Sequence, residues 1–264
     1  MHISGSRVLL TGATGGIGNA LARALHARGA ELILTGRRRE VLDLLAAELA
    51  GASVIVADLA EPAEPERLAA AAGRVDILVA NAGLPGTGRL DSYTMAEIDR
   101  ALNVNLRAPI ALAHALSPAM IERAHGHLAF MGSLNSKAAT PRTCVYNATK
   151  FGLRGFAAAL RADLRQSGVG VSCIFPGFIR DAGIFADSGA RLPPGVGTRS
   201  PQDVADALVG AIERNRGEVD VAPLPLRLGA AFAGLAPDLA TSVSRRMGAE
   251  KVAGDLAAGS VAKR

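Results

Sequence analysis

Short apolar runs alternate with amphipathic stretches along most of the chain, and the two patterns predict strands and helices in turn. The amphipathic stretches repeat their apolar positions at helical spacing, and the first ends at a glycine, a common helix terminator. They predict helices at 17–29, 38–50, 62–72, 94–124, where we expect a break near Pro109, and 145–167. The apolar runs predict strands at 7–12, 31–36, 53–59, 75–83, 127–133, 169–177 and, as a short seventh strand, 218–222.

Continuous apolar strands are typical of a parallel sheet that is covered on both faces. Their alternation with helices gives right-handed βαβ units, so the sequence predicts an α/β fold with an open, doubly wound sheet. We expect one domain over residues 1–264, with a core at about 5–222 and a helical extension at about 223–264. The long segment 178–200 follows a predicted strand. Open α/β sheets bind ligands at that edge, so this segment is expected to cover the substrate.

The composition is that of an ordinary globular protein, with 49% hydrophobic and 20% charged residues. Aromatic residues make up only 3%, and the net charge of +5 is spread along the chain, which argues against a nucleic-acid-binding surface. No apolar run reaches the ~18 residues that span a bilayer. For the apolar extension after residue 223, packing on the domain or at a subunit interface is favoured over attachment to a membrane surface.

The chain contains two cysteines, Cys144 and Cys173. Two cysteines in 264 residues do not build a disulfide framework, and no cluster of side chains has the spacing of metal ligands. We therefore expect reduced thiols, a cytoplasmic location and no metal.

A glycine-rich turn, "TGATGGIG" at 11–18, joins the first predicted strand to the first helix. Gly12 permits a tight turn, Gly16 removes a side chain where a pyrophosphate would approach the backbone, and Gly18 allows close packing of helix on strand. The helix that follows offers free N–H groups and partial positive charge to phosphates. A glycine motif in this strand–turn–helix setting predicts a dinucleotide site.

The spacing of this turn, TGxxxGxG, occurs together with "NAG" at 81–83, "YNATK" at 146–150 and "PG" at 176–177. In this combination the chain resembles the short-chain dehydrogenase/reductase family over roughly residues 5 to 180. The resemblance implies a Rossmann-type fold with strand order 3-2-1-4-5-6-7 and a nicotinamide cofactor. It also implies a homodimer or homotetramer formed through the two long helices, 94–124 and 145–167.

The resemblance further implies which residues form the site. The catalytic residues would be a Ser–Tyr–Lys centre with an assisting asparagine, namely Asn105, Ser133, Tyr146 and Lys150. The cofactor would contact Gly12, Thr14, Gly16, Ile17, Gly18, Arg37, Arg38, Asp58, Leu59, Asn81, Ala82, Gly83, Tyr146, Lys150, Pro176, Gly177 and Ile179. The family often carries a threonine where this chain has Asp181, which leaves the local contact to the carboxamide open.

The pair Tyr146 and Lys150 lies on one helix face, because positions i and i+4 are neighbours there. An ammonium near a phenol favours the phenolate, so Lys150 is expected to lower the pKa of Tyr146 and tune it as an acid and base. Ser133 would stabilise charge on the substrate oxygen, and Asn105 would hold a water that links Lys150 to solvent. Each residue also has an ordinary structural explanation as a surface pair, a cap or a helix break. Their joint arrangement favours catalysis.

The end of the second strand indicates which cofactor is used. Enzymes for NAD usually place an acid there, whereas this chain has Thr35 and Gly36 followed by Arg37. An arginine can pair with a 2′-phosphate, so NADP(H) is preferred and NAD(H) remains possible. Some relatives that use NADP carry a polar or basic residue where this chain has Gly15, which tempers the preference.

Taken together, the sequence predicts an oxidoreductase that transfers hydride between NADP(H) and a carbonyl or secondary alcohol. The substrate is expected to be a small, apolar molecule, because the covering segment carries Phe178, Ile179, Ile184, Phe185 and Leu192. One alternative is an NAD-dependent alcohol dehydrogenase of the same family. The other is a non-catalytic dinucleotide sensor, which loss of the serine, tyrosine or lysine would have favoured.

Overall fold

The protein is built around a parallel sheet in the computed structural model, which describes residues 1–190, 192, 196–246 and 252–256. The strands are β1 Arg7–Thr11, β2 Glu31–Gly36, β3 Ser53–Val56, β4 Ile77–Ala80, β5 Gly126–Met131, β6 Val169–Pro176 and β7 Glu218–Val221. Neighbouring strands are parallel throughout and lie in the order β3-β2-β1-β4-β5-β6-β7. The predicted fold class and strand order are confirmed, including the short seventh strand.

Helices connect the strands on both faces of the sheet. They are α1 Gly16–Ala27, α2 Arg39–Glu48, α3 Glu64–Ala72, α4 Met95–Leu102, α5 Ala108–Glu122, α6 Cys144–Asp163, α7 Gly183–Ser188, α8 Pro201–Glu213, α9 Leu224–Leu235 and α10 Pro237–Arg246. The sequence analysis missed α8, although its start signal is present. The Ser200 side chain accepts from the Asp203 N–H while the Asp203 carboxylate accepts from the Ser200 N–H, and Pro201 fills the first helical position.

The predicted helix 94–124 is interrupted earlier than expected. A single π-helical turn, Asn103–Arg107, joins α4 to α5, and Pro109 lies in the first turn of α5. A proline has no N–H to donate into the turn before it, and the wider turn lies directly ahead of Pro109. The break therefore falls on the segment that carries Asn105.

Two apolar cores enclose the sheet, because successive strand residues point to opposite faces. Val8 and Leu10 face the core formed with α1, α2 and α8, whereas Leu9 faces the core formed with α3, α5 and α6. Phe130 and Phe175 are the largest of the fully buried side chains, and aliphatic residues fill most of the remaining space. Because the strands are all parallel, their carboxyl ends share one edge of the sheet.

The C-terminal extension starts with α9 and α10 and includes a helical segment at 252–256, in which Val252 and Ala253 are buried. The other residues of the predicted extension, 247–251 and 257–264, lie outside the described residues, as do 191 and 193–195 of the predicted covering segment. Among the helices of the described ranges, none has the combination of length and hydropathy needed to cross a bilayer.

Candidate active site

A cavity of about 930 Å³ opens at the carboxyl-terminal edge of the sheet. The segments that follow β1 through β6 contribute to its walls, together with the first turns of α1 and α6. The strand order reverses between β1 and β4, and open α/β sheets bind ligands at such a reversal. The fold therefore places the cavity where a nucleotide site is expected.

The structure brings nearly all of the predicted site residues to this cavity. All of the residues predicted to contact the cofactor line it, and so do Ser133, Tyr146 and Lys150. Asn105 is the exception, since it is fully buried behind the wall.

The glycine turn has little room for side chains. Gly12 has a φ of 67°, and a Cβ there would lie 2.8 Å from the Cα of Ala82. A Cβ on Gly18 would lie 2.1 Å from the carbonyl oxygen of Gly12. The Asn81 side-chain amide donates to the carbonyl oxygens of Thr11, at 3.0 Å, and Gly12, at 3.3 Å. These contacts hold the turn in one conformation.

The first turn of α1 is built to accept an anion. Gly15 stands at the N-cap without a side chain to cap the helix, and no acidic residue lies in the first turn. Its N–H groups and the partial positive charge of the helix end therefore remain available to a negative group in the cavity. A pyrophosphate has the matching charge and acceptor oxygens, so this cradle fits a dinucleotide.

Ser133, Tyr146 and Lys150 lie together in the wall of the same cavity. Tyr146 is in the first turn of α6, and Ser133 lines the same cavity, where its side chain can hydrogen-bond the phenol. The sequence predicted that Ser133 would end the fifth strand. In the structure β5 ends at Met131, and Ser133 lies two residues beyond it. Lys150 lies one turn along α6, where Nζ is 5.6 Å from the centre of the Tyr146 ring and donates to the Met131 carbonyl oxygen at 2.8 Å.

The electrostatics of this group differ from the sequence prediction in one respect. Burial raises the pKa of Tyr146 above its usual value of 10.0, and the hydrogen bond from Ser133 opposes that rise. Lys150 does not contribute to the pKa shift of Tyr146, and burial lowers the pKa of Lys150 itself from 10.5 to about 8. The expectation that Lys150 acidifies Tyr146 is therefore wrong for the protein alone, and the phenol is held in its protonated form.

Asn105 supports the cavity wall from behind. Its side-chain oxygen accepts from the Leu84 N–H at 2.7 Å, and its side-chain nitrogen donates to the Leu84 carbonyl at 3.0 Å. The same nitrogen lies 3.4 Å from the hydroxyl oxygen of Thr149, which donates to the Tyr146 carbonyl. The π turn thus presents an amide that fixes the segment after β4 against α6.

A group of three arginines, Arg37 to Arg39, lies where β2 gives way to α2. Arg38 donates to the Thr14 carbonyl oxygen at 2.7 Å, and Arg39 pairs with Asp43 on its own helix at 2.9 Å. Arg37 is exposed and lines the cavity, and it makes no hydrogen bond or ion pair with any part of the chain that the structure describes. Of the three guanidinium groups, Arg37 is the one placed to meet an anion in the cavity.

The segment after β6 closes over the glycine turn. A Cβ on Gly16 would lie 2.5 Å from the Cβ of Ala182, so Gly16 is required by this contact as well as by any ligand. The rings of Phe178 and Phe185 pack with their centres 5.1 Å apart. Asp181 is exposed and does not line the cavity, which removes it from the carboxamide contact that the family pattern suggested.

Sequence reasoning missed the loop that follows Asn81 and its neighbours. Gly86 packs against α6 so closely that a Cβ there would lie 3.0 Å from the backbone nitrogen and Cβ of Tyr146. Leu84 and Pro85 of this loop also line the cavity. A glycine three residues beyond "NAG" was the available signal, but only the tertiary contact explains it. Among the described residues, no three His, Cys, Asp or Glu side chains cluster as a metal site would require.

The sequence profile of the short chain dehydrogenase family matches residues 6–191. The chain belongs to this family.

Relatives within the short-chain dehydrogenase family have varied names. The protein is 37% identical over 194 residues to Dehydrogenase/reductase SDR family member 7B of Mus musculus, an alignment covering 67% of this chain and 59% of the mouse protein. It is 33% identical over 232 residues to Ketoacyl reductase HetN of Nostoc sp., covering 85% of this chain and 81% of HetN.

Solved structures of family members share the architecture. A short-chain dehydrogenase from Sphingobium yanoikuyae, in complex with NADPH, superposes with a TM-score of 0.75 at 29% identity, covering 88% of this chain and 96% of that one. The bulky-bulky ketone specific alcohol dehydrogenase from Comamonas testosteroni gives a TM-score of 0.73 at 26% identity, covering 88% and 94%. The chain is therefore an oxidoreductase of the short-chain dehydrogenase type in both sequence and fold.

Proposed function

We propose that the protein is an NADP(H)-dependent oxidoreductase that interconverts a carbonyl compound and a secondary alcohol, with Tyr146 as the general acid and base. The observation that carries the proposal is the meeting of Tyr146, Ser133 and Lys150 in one wall of a cavity whose other wall is the glycine turn. A phenol in this place can exchange a proton with an oxygen bound beside it.

The residues of the chain have separate tasks in this reaction. When bound, a nicotinamide cofactor supplies or accepts the hydride. Tyr146 donates its phenolic proton to the substrate oxygen as the carbonyl becomes an alcohol, and takes it back in the reverse direction. The hydroxyl oxygen of Ser133 already accepts a hydrogen bond from the Asn135 N–H, at 3.2 Å. The hydroxyl proton is therefore free to stabilise charge on Tyr146 or on the substrate oxygen.

In the protein without cofactor, Tyr146 and Lys150 hold the protonation states that reduction of a carbonyl requires. Burial raises the pKa of Tyr146, so the phenol carries the proton that a carbonyl must receive. Lys150, with a pKa of about 8, is mainly charged at neutral pH and lines the same cavity, so its ammonium group can donate to a bound nucleotide.

NADP(H) is the proposed cofactor because Arg37 faces the cavity without an intramolecular partner among the described residues. A 2′-phosphate offers a guanidinium a charge-assisted, bidentate contact. The solved relative from Sphingobium yanoikuyae holds NADPH, which agrees with this preference.

The substrate is proposed to be a small, mainly apolar carbonyl compound. Leu84, Pro85, Ile179, Ile184 and Phe185 line the same cavity as Tyr146. Their side chains favour hydrocarbon over charged groups, because burying an unpaired charge against them is costly. The names of the ketoacyl reductase and the ketone-specific relatives agree with a ketone substrate.

A homodimer or homotetramer is proposed to form through α5 and α6. The outer face of α6 exposes a stripe of mostly small residues and one aromatic: Ala148, Phe151, Gly152, Gly155, Ala158, Ala159 and Ala162. A Cβ on Gly155 would meet nothing within 4 Å, so another helix has room to approach closely. Light scattering of the purified protein tests this, and a monomer at micromolar concentration would contradict it.

The direct test of function is NADPH consumption with a panel of ketones and aldehydes of increasing apolar bulk, with NADH in parallel. The proposal predicts consumption that depends on a carbonyl compound and is faster with NADPH. The sensor alternative predicts that NADPH binds but that no member of the panel accelerates its consumption. That result would contradict the catalytic proposal.

A further inference from the structure

A buried polar network, which we call the amide clamp, joins the Ser133 turn to the start of α6; its members are Asn135, Thr140, Thr143 and Asn147. Asn147, which follows Tyr146 directly, is buried. Its side-chain oxygen accepts from the Asn135 side-chain nitrogen at 3.2 Å and from the Thr143 hydroxyl. Its side-chain nitrogen donates to the carbonyl oxygens of Asn135 and Ala138, both at 3.3 Å.

The rest of the clamp closes the loop between β5 and α6. The Asn135 side chain also donates to the Thr140 hydroxyl at 3.0 Å, and the hydroxyls of Thr140 and Thr143 lie 2.8 Å apart. Asn147 on helix α6 therefore bonds to the loop both at Asn135, near its start, and at Ala138, further along. None of these side chains lines the cavity.

The position of the clamp links it to the hydrogen bond between Ser133 and Tyr146. The backbone N–H of Asn135 donates to the Ser133 hydroxyl oxygen, so any movement of Asn135 moves the group that orients that hydroxyl. Tyr146 is fixed by α6, and Asn147 is the next residue on that helix. Asn147 thus spans the two segments whose relative position sets the Ser133–Tyr146 contact.

We infer that Asn147 is a positioning residue, which holds the Ser133 hydroxyl against Tyr146 through Asn135. The inference rests on the proposed function, and it assigns a role to a residue that touches neither substrate nor cofactor. A polar network in a low-dielectric setting is specific only when all its members are satisfied. Loss of Asn147 leaves the Ser133 turn held at one end, and the hydroxyl then spends less time in contact with the phenol.

The expected effects of Asn147→Ala follow from that loss. The Ser133 hydrogen bond lowers the pKa of Tyr146 against the effect of burial, so the variant should ionise its phenol at higher pH than the wild type. The rate constant kcat should fall roughly tenfold, the scale of one hydrogen bond, while KM for NADPH stays unchanged. Asn135→Ala removes the same connection from the other side and should act in the same direction.

The test is a double-mutant cycle with two readouts. The chain has two tyrosines, so in a Tyr93→Phe background the ultraviolet titration of phenolate reports Tyr146 alone. If Asn147 acts through Ser133, Asn147→Ala changes kcat and the titration in the parent but adds nothing in a Ser133→Ala background. Equal effects of Asn147→Ala in both backgrounds would overturn the inference.

A matched control separates positioning from general stability. Ser172 is fully buried, bonds to His127 at 2.8 Å and donates to the Arg216 carbonyl, and lies away from the cavity. Ser172→Ala should lower Tm as Asn147→Ala does, without changing kcat or the Tyr146 titration. If both variants lower Tm alone, Asn147 is only a structural residue. If the wild type lacks turnover but the titration shifts as expected, the proposed function fails and the positioning role stands.

Discussion

The two edges of the sheet both bury polar side chains, but they use them differently. At the amino-terminal edge, Asp76 accepts from the Arg7 N–H and from Arg74, both at 3.1 Å, and His127 bonds to Ser172. These groups are satisfied within the protein. At the carboxyl-terminal edge, Tyr146 and Arg37 instead border the cavity. The polar groups named at the amino-terminal edge bond to other parts of the protein, whereas Tyr146 and Arg37 at the carboxyl-terminal edge are placed to contact a ligand.

The pKa shifts follow the same division. Burial lowers the pKa of His127 from 6.5 to about 3, which keeps the imidazole neutral at any physiological pH. Burial also opposes the charge on Asp76, but hydrogen bonds from Arg7 and Arg74 and the nearby charges outweigh it and hold the pKa of that carboxyl below its usual range. At the cavity, burial brings the pKa of Lys150 to about 8, close to the pH at which proton transfer operates. Side chains at the amino-terminal edge should therefore affect stability, and those at the cavity should affect rate.

The largest effect is expected from Tyr146→Phe, which removes the proton donor and keeps the ring. We expect kcat to fall by roughly two to four orders of magnitude, the usual contribution of general acid catalysis. NADPH affinity and Tm should be nearly unchanged. Steady-state kinetics with a fluorescence titration checks both, and a variant that keeps most of its activity would remove Tyr146 from the reaction.

At the opposite edge, Asp76→Ala should cost stability and leave the rate alone. The substitution leaves the Arg7 N–H and the Arg74 side chain without their acceptor, and it removes the negative charge that lies 3.8 Å from Arg123. We expect the free energy of unfolding to fall by about 2–3 kcal/mol. Urea denaturation measures this loss, and a lowered kcat in the still folded variant would break the division between the edges.

Arg37→Ala should weaken NADPH binding by roughly tenfold to a hundredfold, because a charge-assisted contact to the 2′-phosphate is lost. NADH binding should stay the same. Arg39→Ala is the control, since Arg39 pairs with Asp43 and does not line the cavity. Equal loss of affinity for both nucleotides would point away from a phosphate contact.

The smallest effect concerns acid stability through His127. The folded protein holds this imidazole neutral, whereas the unfolded chain takes up a proton below about pH 6.5, so stability is lost as the pH falls from there toward 3. Between pH 6.5 and 5 this costs about 2 kcal/mol. His127→Gln should make unfolding less sensitive to pH over that interval by this amount. An unchanged dependence in urea titrations would contradict the neutral assignment.

The fold could be predicted because local pattern and global packing agree in this chain. The apolar runs that form β1 to β6 are nearly continuous, and helices between them carry an apolar face for one of the two cores. The details that escaped prediction depend on tertiary contacts. The π turn at Asn105 is tied to the Leu84 backbone, and no local periodicity announces it.

The candidate site, like the fold, could be predicted only in part. The resemblance to the family implied that Ser133, Tyr146 and Lys150 would lie together, and all three line one cavity in the structure. The resemblance could not predict the raised pKa of Tyr146, because burial depends on the packing of segments distant in sequence. Asn147 likewise looks like a neutral residue of α6 until its partners, Asn135 and Ala138, are known.

A crystal structure of the protein with NADPH tests the central claim most directly. The account predicts the pyrophosphate on the first turn of α1, the 2′-phosphate at Arg37, and the nicotinamide ring beside the Tyr146 hydroxyl, close enough for both to reach one substrate carbonyl. A nucleotide bound outside this cavity, or a nicotinamide ring beyond reach of Tyr146, would contradict it.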